Sequence, residues 1–252
     1  MQGHVSPLEA SPPFPAWPFP VGEAHVWFVN ADDHLGELDA LQTILSREER
    51  ERASRIRRGR DRWIAGRASL RRVLAGCLRA EPRELELRLG PNDKPELVGA
   101  EDEHVPHFNL SHSGKMALIA LAHGPVGVDV EQVRQAPDLA DMVRHALRPG
   151  EIAALEALPT TRRPEGFIAA WTRKEAYLKA RGLGIGDIQR VEVNVHPDER
   201  AALLYADDDP DAAARWTLVD LAVETGYRAA LAALGTSSVV LRTLRVPVRS
   251  DG

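Results

Sequence analysis

Asp129 and Glu131 stand two apart in VGVDVEQV, and a strand's period of two turns both carboxylates to one face while Val128 and Val130 turn to the other. Two neighbouring anions need a cation or open water. Magnesium suits the first case, because it takes a few carboxylate oxygens, keeps waters and accepts phosphate oxygens in its remaining positions. A solvated strand face is the second. In WTRKEAYLKA, Trp171, Lys174, Glu175 and Lys179 recur at separations of three and four, which on a helix brings Trp171, Lys174 and Glu175 toward neighbouring faces. The same spacing also describes a solvent-facing helix laced with ion pairs, with Trp171 packed inward.

FNLSHSGK contributes Ser111, His112 and Ser113 to a predicted polar loop at 111–115, with Lys115 nearby, and backbone N–H groups in such loops suit phosphate oxygens. Adjacent residues of an extended loop point to opposite sides, which argues against a Ser111–His112 nucleophilic dyad, and no GxSxG elbow is present. A turn with capped backbone groups is the alternative. Upstream, Arg47, Arg50, Arg52, Arg55, Arg57, Arg58, Arg60 and Arg62 form a dense run only partly offset by Glu48, Glu49, Glu51 and Asp61. Intrahelical pairs account for some of these, while an arginine directed at phosphate can bind it through two N–H groups at once.

These groups must be held by a mixture of helices and strands. EAHVWFVN (23–30) has strand composition; Ser46 is a plausible N-cap with Glu49 three residues on, opening a helix through Trp63, and a second helix runs from about Ile64 to Leu78. ELELRL (84–89) alternates as a half-buried strand, and two further strands flank the 111–115 loop and the Gly124–Pro125 turn. Beyond that turn come helices at 147–158 and 167–182, then strands at 191–195, 215–219 and 227–233. Leu147-Arg148-Pro149-Gly150-Glu151 echoes Leu45-Ser46-Arg47-Glu48-Glu49, and Trp171 echoes Trp63. The expected fold is α+β, a pseudo-dimer of two similar helix-plus-antiparallel-sheet halves with the site in the cleft between them. Its parts are a proline-rich arm (1–20) lying across the surface, a first half (21–124) and a second half (125–252).

The 252 residues are 44% hydrophobic and 27% charged with a net charge of -5, which describes a folded globular chain and argues against a surface built for nucleic acid. One cysteine, Cys77, excludes an internal disulfide and any multi-thiolate metal centre, and fits a reducing cytoplasm. The first 20 residues lack the pattern of a secretory signal, and no segment approaches the roughly 18 uninterrupted apolar residues of a membrane span.

FNLSHSG, VGVDVE and WTRKEAYLKARGLGI, in this order behind an arginine-rich helix and a Lys-Pro turn, resemble the phosphopantetheinyl transferases of the large, surfactin-synthetase-activating type, over most of 47–185. The resemblance implies transfer of the 4'-phosphopantetheine arm of coenzyme A to a serine of an apo acyl or peptidyl carrier protein of polyketide or nonribosomal peptide synthases, by a cytoplasmic monomer. It also implies Mg2+ on Asp129, Glu131 and Glu175; Arg52, Arg55 and His112 near the ribose 3'-phosphate; and Ser111 beside the phosphates. Arg67, Ala68, Lys94 and Pro95 match segments beside the nucleotide, Lys174 and Lys179 match lysines near the reacting phosphate, and Trp171 shapes the site. Glu175 is the candidate proton acceptor as well as a ligand. Ala68 and Ala176 depart from the family pattern, standing where relatives often carry a hydroxyl. A magnesium-dependent hydrolase of coenzyme A or nucleotide pyrophosphates, and a noncatalytic nucleic-acid-binding module, are the alternatives.

Overall fold

The computed structural model describes residues 4–10, 14–90, 92, 94–98, 105–134 and 139–244. The chain opens with strands β1 (His4–Ala10) and β2 (Glu23–Asn30), then helices α1 (Leu38–Thr43), α2 (Arg47–Arg55) and α3 (Arg60–Leu78). Strands β3 (Leu87–Leu89), β4 (Pro95–Leu97), β5 (His107–Ser113), β6 (Met116–Ala122) and β7 (Val126–Gln132) follow. Next come α4 (Leu139–Ala146), α5 (Pro149–Ala157) and α6 (Arg163–Arg181), then β8 (Val191–Val193), β9 (Leu203–Ala206), α7 (Ala212–Arg215), β10 (Trp216–Asp220), β11 (Tyr227–Leu234) and β12 (Ser238–Leu244). No helix among the described residues is long and apolar enough to cross a membrane.

One order of elements occurs twice: strand, capped short helix, long helix, two-stranded ribbon, then two strands that return to the first. In the first pass β2, β6 and β5 lie side by side in antiparallel pairs; in the second, β7, β11 and β10 do the same. The sheets stack. Val26, Leu118 and Ala120 of one meet Val128, Val130 and Leu231 of the other in a buried apolar layer. α3 covers the outer face of the first sheet through Leu70 and Leu74 against Trp27 and Ile119, and α6 covers that of the second through Phe167 and Tyr177. Asp129 and Glu131 therefore face away from the inter-sheet layer, on the face of β7 that carries α6.

Four expectations need correction. Only the second sheet is wholly antiparallel: β12 pairs with β2, and β1 with β12, in parallel, so 238–244 joins the sheet of the first half although it lies within 125–252. The 1–20 segment is not a surface arm throughout, since 4–10 is a strand, Phe19 is buried and stacks on His25, and Phe14 and Trp17 pack on the core beneath α3. The helix expected from Ser46 through Trp63 breaks at Gly59, whose φ of 74° few side chains tolerate, and α3 starts there. The 84–89 strand is also shorter, because Pro82–Glu84 form a 3-10 turn.

α6 lies so close to β7 that a Cβ on Gly127 would stand 2.1 Å from the Ala176 carbonyl oxygen and 2.4 Å from the Ala180 nitrogen. Gly127→Ala must push helix and strand apart. It should cost about 1–3 kcal/mol of stability, as overpacking does, read from urea unfolding; an unchanged midpoint would mean that this contact does not set the spacing.

Candidate active site

α2 begins with a capping box: Ser46 accepts from the Glu49 N–H, and the Glu49 carboxylate takes the Ser46 N–H at 2.8 Å. The other side of Glu49 is used as well. Arg67 and Arg71 of α3 both donate to it, Arg71 at 2.6 Å, so a buried carboxylate locks the two helices together. α2 then presents Arg52 and Arg55 to a pocket of about 750 Å³, with Arg67 and Trp63 of α3 on the same wall.

β5 supplies the next wall. Ser111 and His112 belong to a strand and not to a loop, since the turn is confined to Gly114 and Lys115, and Gly114 has a φ of 58°. The phosphate-cradling loop expected from FNLSHSG is thus replaced by a ladder. Asn109 Oδ1 accepts the Val128 N–H at 2.9 Å, Ser111 Oγ that of Val130 at 3.3 Å, and Ser113 Oγ that of Gln132 at 3.2 Å. Each serine hydroxyl in turn donates to a carboxylate, Ser111 to Asp129 Oδ1 and Ser113 to Glu131 Oε2, both at 2.8 Å. His112 points the other way and also lines the pocket.

α6 turns Trp171, Glu175 and Lys179 toward the pocket at intervals of four, so they form one half-buried stripe on an otherwise buried helix. Lys179 Nζ donates to Asp129 Oδ1 at 2.6 Å and to Ser111 Oγ at 3.1 Å. Asp129 Oδ2 and Glu175 Oε1 are buried without a hydrogen-bond partner. Unpaired carboxylate oxygens in a buried site demand a proton or a cation. Burial, reinforced by Asp129 and Glu131 and opposed by Lys179, pushes the Glu175 carboxyl up to about 7. Burial and Asp129 raise Glu131 in the same direction, against its bond from Ser113 and the charges of Lys179 and Arg134.

The pocket thus gathers Arg52, Arg55, Arg67, Pro95, Ser111, His112, Asp129, Glu131, Trp171, Glu175 and Lys179. Three expected members lie elsewhere. Ala68 is wholly buried among Leu41, Leu45 and Ala65, so its missing hydroxyl has no bearing on the pocket wall. Lys94 donates to the Lys179 carbonyl at 2.9 Å, a cation on the last turn of α6, where the helix dipole favours it. Lys174 is fully buried in an ion pair with Glu151. Conversely Glu48, Glu49, Leu87, Leu89, Leu110 and Ile185 also line the pocket. The capping-box signal marked Glu49, but only the fold reveals its two arginines. Among the described residues no three His, Cys, Asp or Glu side chains already enclose a metal position; Asp129, Glu131 and Glu175 are the carboxylates able to converge on one.

The Glu175 shift has a consequence for stability. With a native value of about 7 against an ordinary 4.5, the folded chain holds a proton that the unfolded chain releases, so stability falls as pH rises across that window. Glu175→Gln should flatten this fall, though not abolish it, because Glu131 shifts in the same sense. Urea unfolding at several pH values tests this; an unchanged slope in the variant would refute it.

Residues 125–232 match the 4'-phosphopantetheinyl transferase superfamily, and residues 33–123 match its N-terminal domain type, "4'-phosphopantetheinyl transferase, N-terminal". Among individual proteins, the chain is 34% identical to the 4'-phosphopantetheinyl transferase HetI of Nostoc sp., over 84% of this chain and 88% of that one. A putative 4'-phosphopantetheinyl transferase of Synechocystis sp. is 36% identical over 71% and 72% of the two chains. The transferase Sfp of Bacillus subtilis is 24% identical over 78% and 85%. With both parts of the chain matched and this identity running over most of its length, the protein belongs to the 4'-phosphopantetheinyl transferases, enzymes that modify carrier proteins from coenzyme A.

Proposed function

We propose that coenzyme A occupies the 750 Å³ pocket, with its 3'-phosphate toward Arg52, Arg55 and His112 and its pyrophosphate toward β7 and α6. One observation carries this reading: the two buried, unpartnered carboxylate oxygens of Asp129 and Glu175 share a pocket with the arginines of α2 and α3. A diphosphate placed between such groups needs a divalent cation to join it to the carboxylates. Asp129, Glu131 and Glu175 would hold Mg2+, which prefers a few carboxylate oxygens together with phosphate and water. When bound, the ion neutralises charge on the pyrophosphate.

The chain's own groups do the rest. A carrier-protein serine attacks the β-phosphorus, the bond to the bridging oxygen breaks, and adenosine 3',5'-bisphosphate departs. Lys179, already directed into the pocket by Asp129, meets the charge that develops on the departing side, so little reorganisation is required. Glu175 is placed both to hold the ion and to take the serine proton. Trp171 closes the wall beside it.

The twice-repeated order of elements supports a pseudo-dimer within one chain, with the pocket as the cleft between its halves. A pocket completed by one chain fits a monomer, and the resemblance to the large, surfactin-synthetase-activating type points to polyketide or nonribosomal peptide carriers in the cytoplasm. Cys77 has no part in the chemistry: it is buried, and burial pushes its thiol up to about 12.

The test is to incubate the protein with coenzyme A, Mg2+ and several apo-carrier proteins and to record the carrier mass. A phosphopantetheine adduct is expected, and chelation with EDTA should abolish it. Asp129→Ala and Glu175→Ala should each remove transfer while circular dichroism stays native. Free phosphopantetheine released without a carrier would instead indicate a hydrolase, and wild-type turnover by either variant would exclude the proposed metal ligands.

A further inference from the structure

Lys174 directly precedes Glu175, yet its side chain is fully buried and takes no part in the pocket wall. Its ammonium has three protons and three acceptors: Glu151 Oε2 at 2.5 Å, the Ala146 carbonyl at 2.8 Å and the Ile188 carbonyl at 3.3 Å. None is left over for a phosphate. Glu151 is a junction in its own right, accepting the Arg148 N–H at 2.7 Å and the Val193 N–H at 2.9 Å. Through Glu151 and the two carbonyls, Lys174 ties α6 to the end of α4, the start of α5, the turn before β8 and β8 itself.

The first half contains the same device. Glu49 caps α2 as Glu151 caps α5, and Arg71 of α3 stands for Lys174, with its guanidinium on Glu49 at 2.6 Å and on the Pro82 and Leu85 carbonyls at 2.7 and 3.0 Å. Arg71 is equally buried and equally absent from the pocket. Two cations held alike, one in each half, serve one structural purpose: each fixes the roll of a long helix whose adjacent face lines the pocket.

We propose that Lys174 is a positioning residue, which acts through Glu151 to aim Glu175 and Lys179 into the pocket and does not touch the transferred phosphate. This rests on the transferase reading above. It also separates two charges that the motif places on one helix: Lys179 faces the reaction, whereas Lys174 sets the helix that carries it.

The decisive comparison uses the full chain with coenzyme A and an apo carrier protein. Lys174→Met leaves a buried carboxylate unpaired and should lower kcat roughly 10- to 100-fold, the effect of misplacing reacting groups by about an ångström, with KM for coenzyme A little changed. Adding Glu151→Gln removes the stranded charge, keeps an acceptor oxygen for the Val193 N–H and offers an NH2 in place of the Lys174 donor. Because a buried ion pair can be exchanged for a neutral pair, kcat in the double variant should return to within about threefold of wild type. A double variant with native circular dichroism that stays as slow as the single one overturns the proposal.

Acetylation footprinting of the unmodified protein decides the matter even if the double variant does not fold. Of the four lysines, Lys94, Lys115, Lys174 and Lys179, Lys174 should resist acetic anhydride with or without coenzyme A, while Lys179 should be labelled and then protected by coenzyme A. Acetylation of Lys174 in the folded protein, suppressed by coenzyme A, would place it at the phosphates and defeat the inference. A failure of the transferase reading would look different, as a wild-type chain that modifies no carrier.

Discussion

The site depends on how two sheet edges meet. β7 ends its three-stranded sheet and β5 ends the five-stranded one, so each strand brings unpaired backbone groups to a buried seam. A backbone donor left there without a partner costs about 1–3 kcal/mol. No backbone ladder closes the seam. Instead Asn109, Ser111 and Ser113, spaced by two along β5, reach across to the N–H groups of Val128, Val130 and Gln132, spaced by two along β7. The same hydroxyls then donate to Asp129 and Glu131. Closing the seam and aiming the carboxylates are therefore one act, which is why short polar side chains alternate through FNLSHS.

The helices are placed by a second device used twice. A glutamate three residues into a short helix caps that helix, and its remaining acceptor capacity takes a buried cation from the long helix that follows, Arg71 on Glu49 and Lys174 on Glu151. Burying such a pair is tolerable only when every proton and lone pair finds a partner. Here the spare donors go to carbonyls at the ends of neighbouring elements, so the network is satisfied and directional. On the first-half side Glu49 also holds Arg67, which reaches the pocket wall. An arginine aimed by a carboxylate is already oriented before any anion arrives, which limits the conformational entropy lost on binding.

Much of this was legible in the chain itself where local pattern and final burial agree. Strand composition in EAHVWFVN and a period of two in VGVDVEQ gave β2 and β7, and the spacing of Trp171, Lys174, Glu175 and Lys179 put all four on one helix without telling which of them face the pocket. What escaped depends on partners far away in sequence. β12 pairs in parallel with a strand more than two hundred residues earlier, and nothing in SVVLRTL names that neighbour. Ser111 and His112 suit a turn by local composition, serines and a histidine before a glycine, whereas antiparallel pairing of β5 with β6 makes them a strand. Lys174 lies beside Glu175 in sequence, but where its ammonium ends is decided by Glu151, which spacing along α6 cannot reveal. Lys94 likewise ends on the Lys179 carbonyl at the last turn of α6, a partner that the Lys-Pro turn does not announce.

The charge in the pocket explains why Lys179 alone does not complete the site. Asp129, Glu131 and Glu175 are close enough for each neighbour to raise Glu175, and Lys179 opposes them with a single positive charge. For Lys179 itself, burial acts to lower its value, but the three carboxylates together outweigh it and raise it, so the ammonium stays protonated. Three ionised carboxylates and one ammonium leave two negative charges uncompensated in a half-buried space, where they cost far more than in water. The chain limits that cost by favouring a proton on Glu175, whose Oε1 has no hydrogen-bond partner. The raised carboxyl of Glu175 and the pairing of Lys179 are therefore linked consequences of packing β7 against α6.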